Sequence, residues 1–180
     1  MMGKLGNFRR LWASDEGAAA AEMAMVLPLL VVLMFGSAEL GKYFLDEHVV
    51  VKAVRDGARY ASRQGFSQYA CPAATVSTDV TDRTRNIVRF GKPNPIVSDP
   101  PRLSYWQALS DSQPSVRVTL ACPTDLDGTE AHSGLYAGKA HVPVVTVLAV
   151  VEYESFFGMF GWAGTTLNVT AESQSAVMGI

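Results

Sequence analysis

Few residues in this chain of 180 amino acids are of a type and spacing that could do chemistry. The most telling is Glu22. It is the single ionisable side chain in residues 17–38, a stretch that runs from Gly17-Ala18-Ala19-Ala20-Ala21 to Phe35-Gly36-Ser37-Ala38. An ionised carboxylate at membrane depth costs roughly 2.5–3.5 kcal/mol on insertion scales, so Glu22 calls for a partner or a task. A second acidic stretch, Asp125-Leu126-Asp127-Gly128-Thr129-Glu130, invites a calcium reading. The EF-hand register fails there, because it puts Pro123 at the first ligand place and Gly134 at the twelfth. A solvated acidic turn is preferred over a looser calcium or zinc site drawn from Asp125, Asp127, Glu130 and His132. His48, His132 and His141 form no ligand-pair spacing, and no nucleophile, base and orienter converge. No metal, no cofactor and no enzymatic activity are expected.

Residues 17–38 number 22, and at about 1.5 Å per residue a helix of them spans roughly 33 Å, near the hydrocarbon thickness of a bilayer. Lys4, Arg9 and Arg10 precede it, which fits a cytoplasmic N-terminus by the positive-inside rule. Three readings compete. A conventional secretory signal would be cut after Gly36-Ser37-Ala38 and remove the apolar run, but Asp15, Glu16 and Glu22 stand where its leader should be basic. A plain anchor would keep everything. The third is a cut between Gly17 and Ala18, leaving the apolar helix on the mature protein. Such a cut would create an amine on Ala18 one helical turn from Glu22. That carboxylate could then pair with the amine of its own chain or a neighbour, giving register more than stability. Solvation of Glu22 at headgroup depth is the plain alternative.

This arrangement of a basic leader, Gly17, short residues, Glu22 and an apolar helix resembles a type IV prepilin-like signal. More narrowly, Glu16-Gly17-Ala18-Ala19-Ala20-Ala21-Glu22-Met23-Ala24-Met25-Val26-Leu27-Pro28-Leu29-Leu30 resembles the opening of the TadE-like minor pseudopilins of the Tad/Flp (tight adherence) pilus. So do Phe35-Gly36-Ser37-Ala38-Glu39-Leu40-Gly41-Lys42 and Val54-Arg55-Asp56-Gly57-Ala58-Arg59-Tyr60-Ala61. The resemblance covers roughly residues 15–64. Met23 departs from the family, which more often shows Phe there. The resemblance implies a single-pass protein of the bacterial inner membrane with its N-terminus cytoplasmic and its C-terminal domain periplasmic, or carried to the pilus or cell surface. It implies as partners a major Flp-type pilin, a second minor pseudopilin, a prepilin peptidase and the inner-membrane assembly platform, besides membrane lipid. A periplasmic binding module or hydrolase, secreted conventionally or permanently anchored, is the alternative.

The fold expected is α+β, pilin-like: a long N-terminal helix packed on a small antiparallel sheet of three to four strands. The organisation is a leader over 1–17, a membrane half-helix over 18–38, its amphipathic continuation over 39–66, and a periplasmic α+β domain over 67–180. Pro28 should kink the helix by freeing the Ala24 carbonyl, a defect met by packing on other subunits or simply tolerated in lipid. Leu40, Phe44, Val50 or Val51, Val54, Ala58 and Ala61 set the amphipathic stripe. Lys52, Arg55, Asp56, Arg59 and Arg63 form a charged opposite side, with Lys52 and Asp56 as an i,i+4 pair, and Gly65 is the expected stop. A second helix is expected around 77–90, with an edge strand at 102–106. Period-two strands follow at Val116, Val118 and Leu120 and at Leu167, Val169 and Ala171, and the longer apolar run at 144–153, rich in β-branched residues, suits the central strand.

Cys71 and Cys122 are the only cysteines. Outside the cytoplasm an isolated pair suggests one disulfide, with two free buried thiols as the alternative. Phe156-Phe157-Gly158-Met159-Phe160-Gly161-Trp162 puts five large apolar side chains between two strands. They either finish the core under the sheet or make a contact surface for another subunit or the membrane. A net charge of −2 gives no electrostatic case for nucleic acid.

Overall fold

Alanine, leucine and methionine dominate residues 17–38, and these are the residues with the least to lose in a helix. The computed structural model, which describes residues 16–106, 115–123, 134–160 and 167–180, folds them into the start of one long helix, α1 (Glu16–Ser62). The chain divides into two units, Met1–Lys42 and Tyr43–Ile180. In the first, α1 passes through Pro28 and keeps its helical assignment. Its large side chains face outward all round: Met25 is 82% exposed and Val32 65%. A helix apolar on every side belongs in lipid or among other apolar helices.

The second unit is α+β. It holds the rest of α1, a two-stranded ribbon of β1 (Tyr69–Ala70) and β2 (Thr75–Val76), helix α2 (Thr78–Phe90), and a sheet of β3 (Val116–Ala121), β4 (Val144–Glu152) and β5 (Asn168–Ala176). The sheet is antiparallel in the order β3-β4-β5, so the valine-rich run takes the central place expected of it. Val145, Val147, Ala149 and Val151 alternate inward along β4 and are all but fully buried. They meet the inward residues Val116 and Leu120 of β3, Val169 and Ala171 of β5, and the stripe Val50, Ala53, Val54, Ala58 and Ala61 of α1 in one core.

Helix α2 is bounded as its residues dictate. The Ser77 hydroxyl accepts from the Val80 N–H at its start, and Gly91 closes it in the left-handed region at φ 76°, donating to the Ile87 carbonyl. Val80, Ile87 and Val88 face inward.

Several local expectations give way. Leu40 and Phe44 are exposed, at 55% and 50%, because the buried stripe begins a turn later at Asp46 and it is Tyr43, a third of a turn from Phe44, that packs. The helix ends at Ser62 rather than Gly65. Arg63 and Gln64 already bond three residues back, and Gly65 precedes a separate short turn. Asp56 does not hold Lys52. It accepts from Arg102 at 2.8 Å, and Arg102 also donates to the Ile87 carbonyl at 3.3 Å, so one guanidinium ties α1 to the C-terminal end of α2. Residues 102–106 make a turn, not an edge strand. The Trp106 N–H donates to the Leu103 carbonyl, and the three-residue spacing buries both side chains. Leu167 lies just before β5 and is 54% exposed.

The far end of α1 is closed by side chains and by the C-terminal residues. Tyr69 donates its hydroxyl to the Ala61 carbonyl, and the Met178 N–H donates to that of Ser62. Burial, with the nearby Tyr60, pushes the Tyr69 phenol up to about 12. In the unfolded chain that phenol ionises near 10. Its share of stability is therefore whole below pH 10 and is lost as pH rises from 10 through about 12. The loss is on the order of 2 kcal/mol. Denaturant melts of the chain in detergent at pH 8 to 11 should show this slope, and Tyr69→Phe should flatten it.

Candidate assembly site

The first unit carries the processing and register residues read from the sequence. Gly17 is the second residue of α1, and a Cβ built there would meet nothing within 4 Å. Ala18 and Glu22 follow on the same exposed helix, one turn apart. The carboxylate thus stands on an apolar rod whose side chains are exposed on every side. Pro28 lies a turn and a half further along. This is the one helix among the described residues long and apolar enough to cross a membrane, and it is compatible with a single-pass anchor.

The second unit joins Cys71 and Cys122 by a disulfide across 51 residues of sequence. The bond links the ribbon, just after β1, to the sheet, just after β3. Since Tyr69 precedes Cys71 by two residues, the end of α1, the ribbon and the sheet are fastened at one place.

Phe156 is 36% exposed and Phe157 is half-buried, the latter opening a short turn, Phe157–Phe160. The side chains of Met159 and Phe160, and the whole of Trp162, lie outside the described residues. So do the acidic loop of Asp125, Asp127, Glu130 and His132, and the basic leader. His48 is exposed on α1 and His141 precedes β4. Among the described residues no three His, Cys, Asp or Glu gather as a metal would need.

Three contacts escaped the sequence reading. Gly57 sits on the buried face of α1, where a Cβ would come within 2.5 Å of Val88 and 3.6 Å of Val147. A glycine inside an amphipathic helix was the available signal, since it costs about 1 kcal/mol against alanine and asks for a packing reason. Asp56 with Arg102 gave no such signal, being 46 residues apart. Asp46 is buried among apolar positions and accepts from the Tyr105 hydroxyl at 2.6 Å. Burial first, and then this bond, push the Tyr105 phenol well up.

Residues 17–59 match the family described as TadE-like protein. The matched span contains Gly17, Glu22, Pro28, Asp46 and Gly57, and stops before the ribbon and the sheet. No curated protein and no solved structure matches the chain. The TadE-like family implies involvement in the Tad pilus and association with pilus machinery.

Proposed function

We propose that this chain is a minor pseudopilin that takes part in assembling the Tad pilus and acts by geometry rather than by catalysis. A prepilin peptidase cuts between Gly17 and Ala18, and the apolar rod stays in the inner membrane with the α+β unit on the periplasmic side. The new amine on Ala18 and the Glu22 carboxylate then meet, within one chain or between neighbours, as the rod packs beside the helices of a major pilin and a second minor pseudopilin. A charge pair in lipid sets register, because a displaced neighbour leaves both charges unpaired. The assembly platform in the inner membrane is the remaining partner.

One observation carries this reading: the TadE-like match covers the rod and its single carboxylate, and that rod exposes its apolar side chains all round. The test is Glu22→Ala in the native host. Pili should be lost while the protein still accumulates in the membrane, and unaltered piliation would count against the mechanism. Intact mass of the membrane protein should start at Ala18; a start at Glu39 would mean a conventional signal and no retained rod.

A further inference from the structure

Within the second unit, the side of α1 opposite its buried stripe carries charge that the fold does not use. His48, Lys52, Arg55, Arg59 and Arg63 are all exposed there, in steps of four, three, four and four residues. At about 100° per residue they fall within about 80° of the helix circumference. Among the described residues, no ion pair or hydrogen bond holds the side chain of Lys52, Arg55, Arg59 or Arg63. Asp56, the carboxylate in their midst, is taken by Arg102. The four cations therefore face one another at three- and four-residue spacing, where like charges destabilise a helix. The dipole at a helix C-terminus favours cations, which accounts for Arg59 and Arg63 at the end of α1. It does not account for Lys52 and Arg55, which lie two turns or more before Ser62.

The spacing says what fits this face. Leu45, 69% exposed, lies three residues before His48. From Leu45 to Arg59 the exposed positions thus step three, four, three and four, the heptad spacing of a seam between two helices. Carboxylates three and four residues apart on a facing helix rise by the same steps, about 4.5 and 6 Å. Arginine forks take such carboxylates two oxygens at a time. A second copy does not supply them, since two of these faces repel each other. The other α-helix among the described residues, α2, has only Asp79 and Asp82 as acids, held by its own Arg83 and Arg85.

We propose that this face docks one helix of a different polypeptide, whose acidic residues repeat at three and four positions along Lys52, Arg55, Arg59 and Arg63 and whose apolar residue meets Leu45. The inference concerns the second unit alone and holds whether or not Glu22 sets register. Docking neutralises a row of charges that the isolated chain leaves in mutual repulsion.

The test is photo-crosslinking of the full chain in its native host, with benzoylphenylalanine in place of His48. The Cys71–Cys122 bond, checked by mass, reports a folded second unit. A protein adduct is expected, and the crosslinked segment, sequenced by mass spectrometry, should carry at least three Asp or Glu at three- and four-residue spacing. Arg55→Glu with Arg59→Glu should lower the adduct yield at least tenfold, whereas Arg55→Lys with Arg59→Lys should retain most of it. An adduct whose yield survives the charge reversal, or whose segment lacks the acidic repeat, overturns the inference. So does a lipid adduct, a crosslink to a second copy, or no adduct at all.

Discussion

Replacing Cys71 and Cys122 together by serine should lower the stability of the second unit by about 4 kcal/mol. The figure follows from chain entropy: the bond closes a loop across 51 residues of sequence, and its removal returns that freedom to the unfolded state. For a unit of this size the loss corresponds to a fall in melting temperature on the order of 15 °C. The loss should not be spread evenly. The ribbon of β1 and β2 pairs only two residues of each strand, and it leans on the bond, on the buried Tyr69 with its hydroxyl on Ala61, and on Val76 against the core. Hydrogen exchange of the double variant should therefore show the ribbon opening first and the β4–β5 pair last. A melting temperature unchanged by the substitution, or by reductant, would contradict the argument.

Gly57→Leu should cost more than about 3 kcal/mol, and Gly57→Ala should destabilise although alanine normally strengthens a helix by about 1 kcal/mol. The sign reverses because a Cβ at 57 arrives 2.5 Å from the Cγ2 of Val88, with Thr84 at 3.4 Å and Val147 at 3.6 Å. Val88 is fully buried, and a β-branched side chain in a helix has one strongly preferred rotamer, so it cannot step aside. A double-mutant cycle makes the point specific. Val88→Ala should cost stability alone but restore part of what Gly57→Ala loses, leaving a coupling on the order of 1 kcal/mol or more. Additive effects would show that α1 and α2 do not meet at Gly57.

The legible parts of this fold were those governed by a local period or a local stop. The apolar, β-branched run of β4 spans nine residues, Ser77 and Gly91 bracket α2, and an apolar run with one carboxylate has few ways to exist. What the sequence did not disclose depends on partners far along the chain. Asp56 has a suitable cation four residues back in Lys52 yet bonds Arg102, because only the tertiary fold brings α2 and the following turn against α1. Residues 102–106 were misread for a related reason: Leu103 and Trp106 are apolar at a spacing that suits a turn over the core as well as a strand. Leu40 and Phe44 fit the helical period but fall where no core residue meets them. At the candidate site, the residue types and their spacing along α1 were legible; the bond from Tyr105 to Asp46 was not, since the two are 59 residues apart.

The central place of β4 has a consequence for biosynthesis. The stripe of α1 that β4 covers is complete at Ala61, whereas the strand ends at Glu152. At roughly 5–20 residues per second, about 5–18 s separate their emergence from the ribosome. For that interval Val50, Val54 and Ala58 have no sheet to shelter them, and the newborn segment is open to aggregation. A chaperone that binds apolar helices would guard it until the last strands arrive.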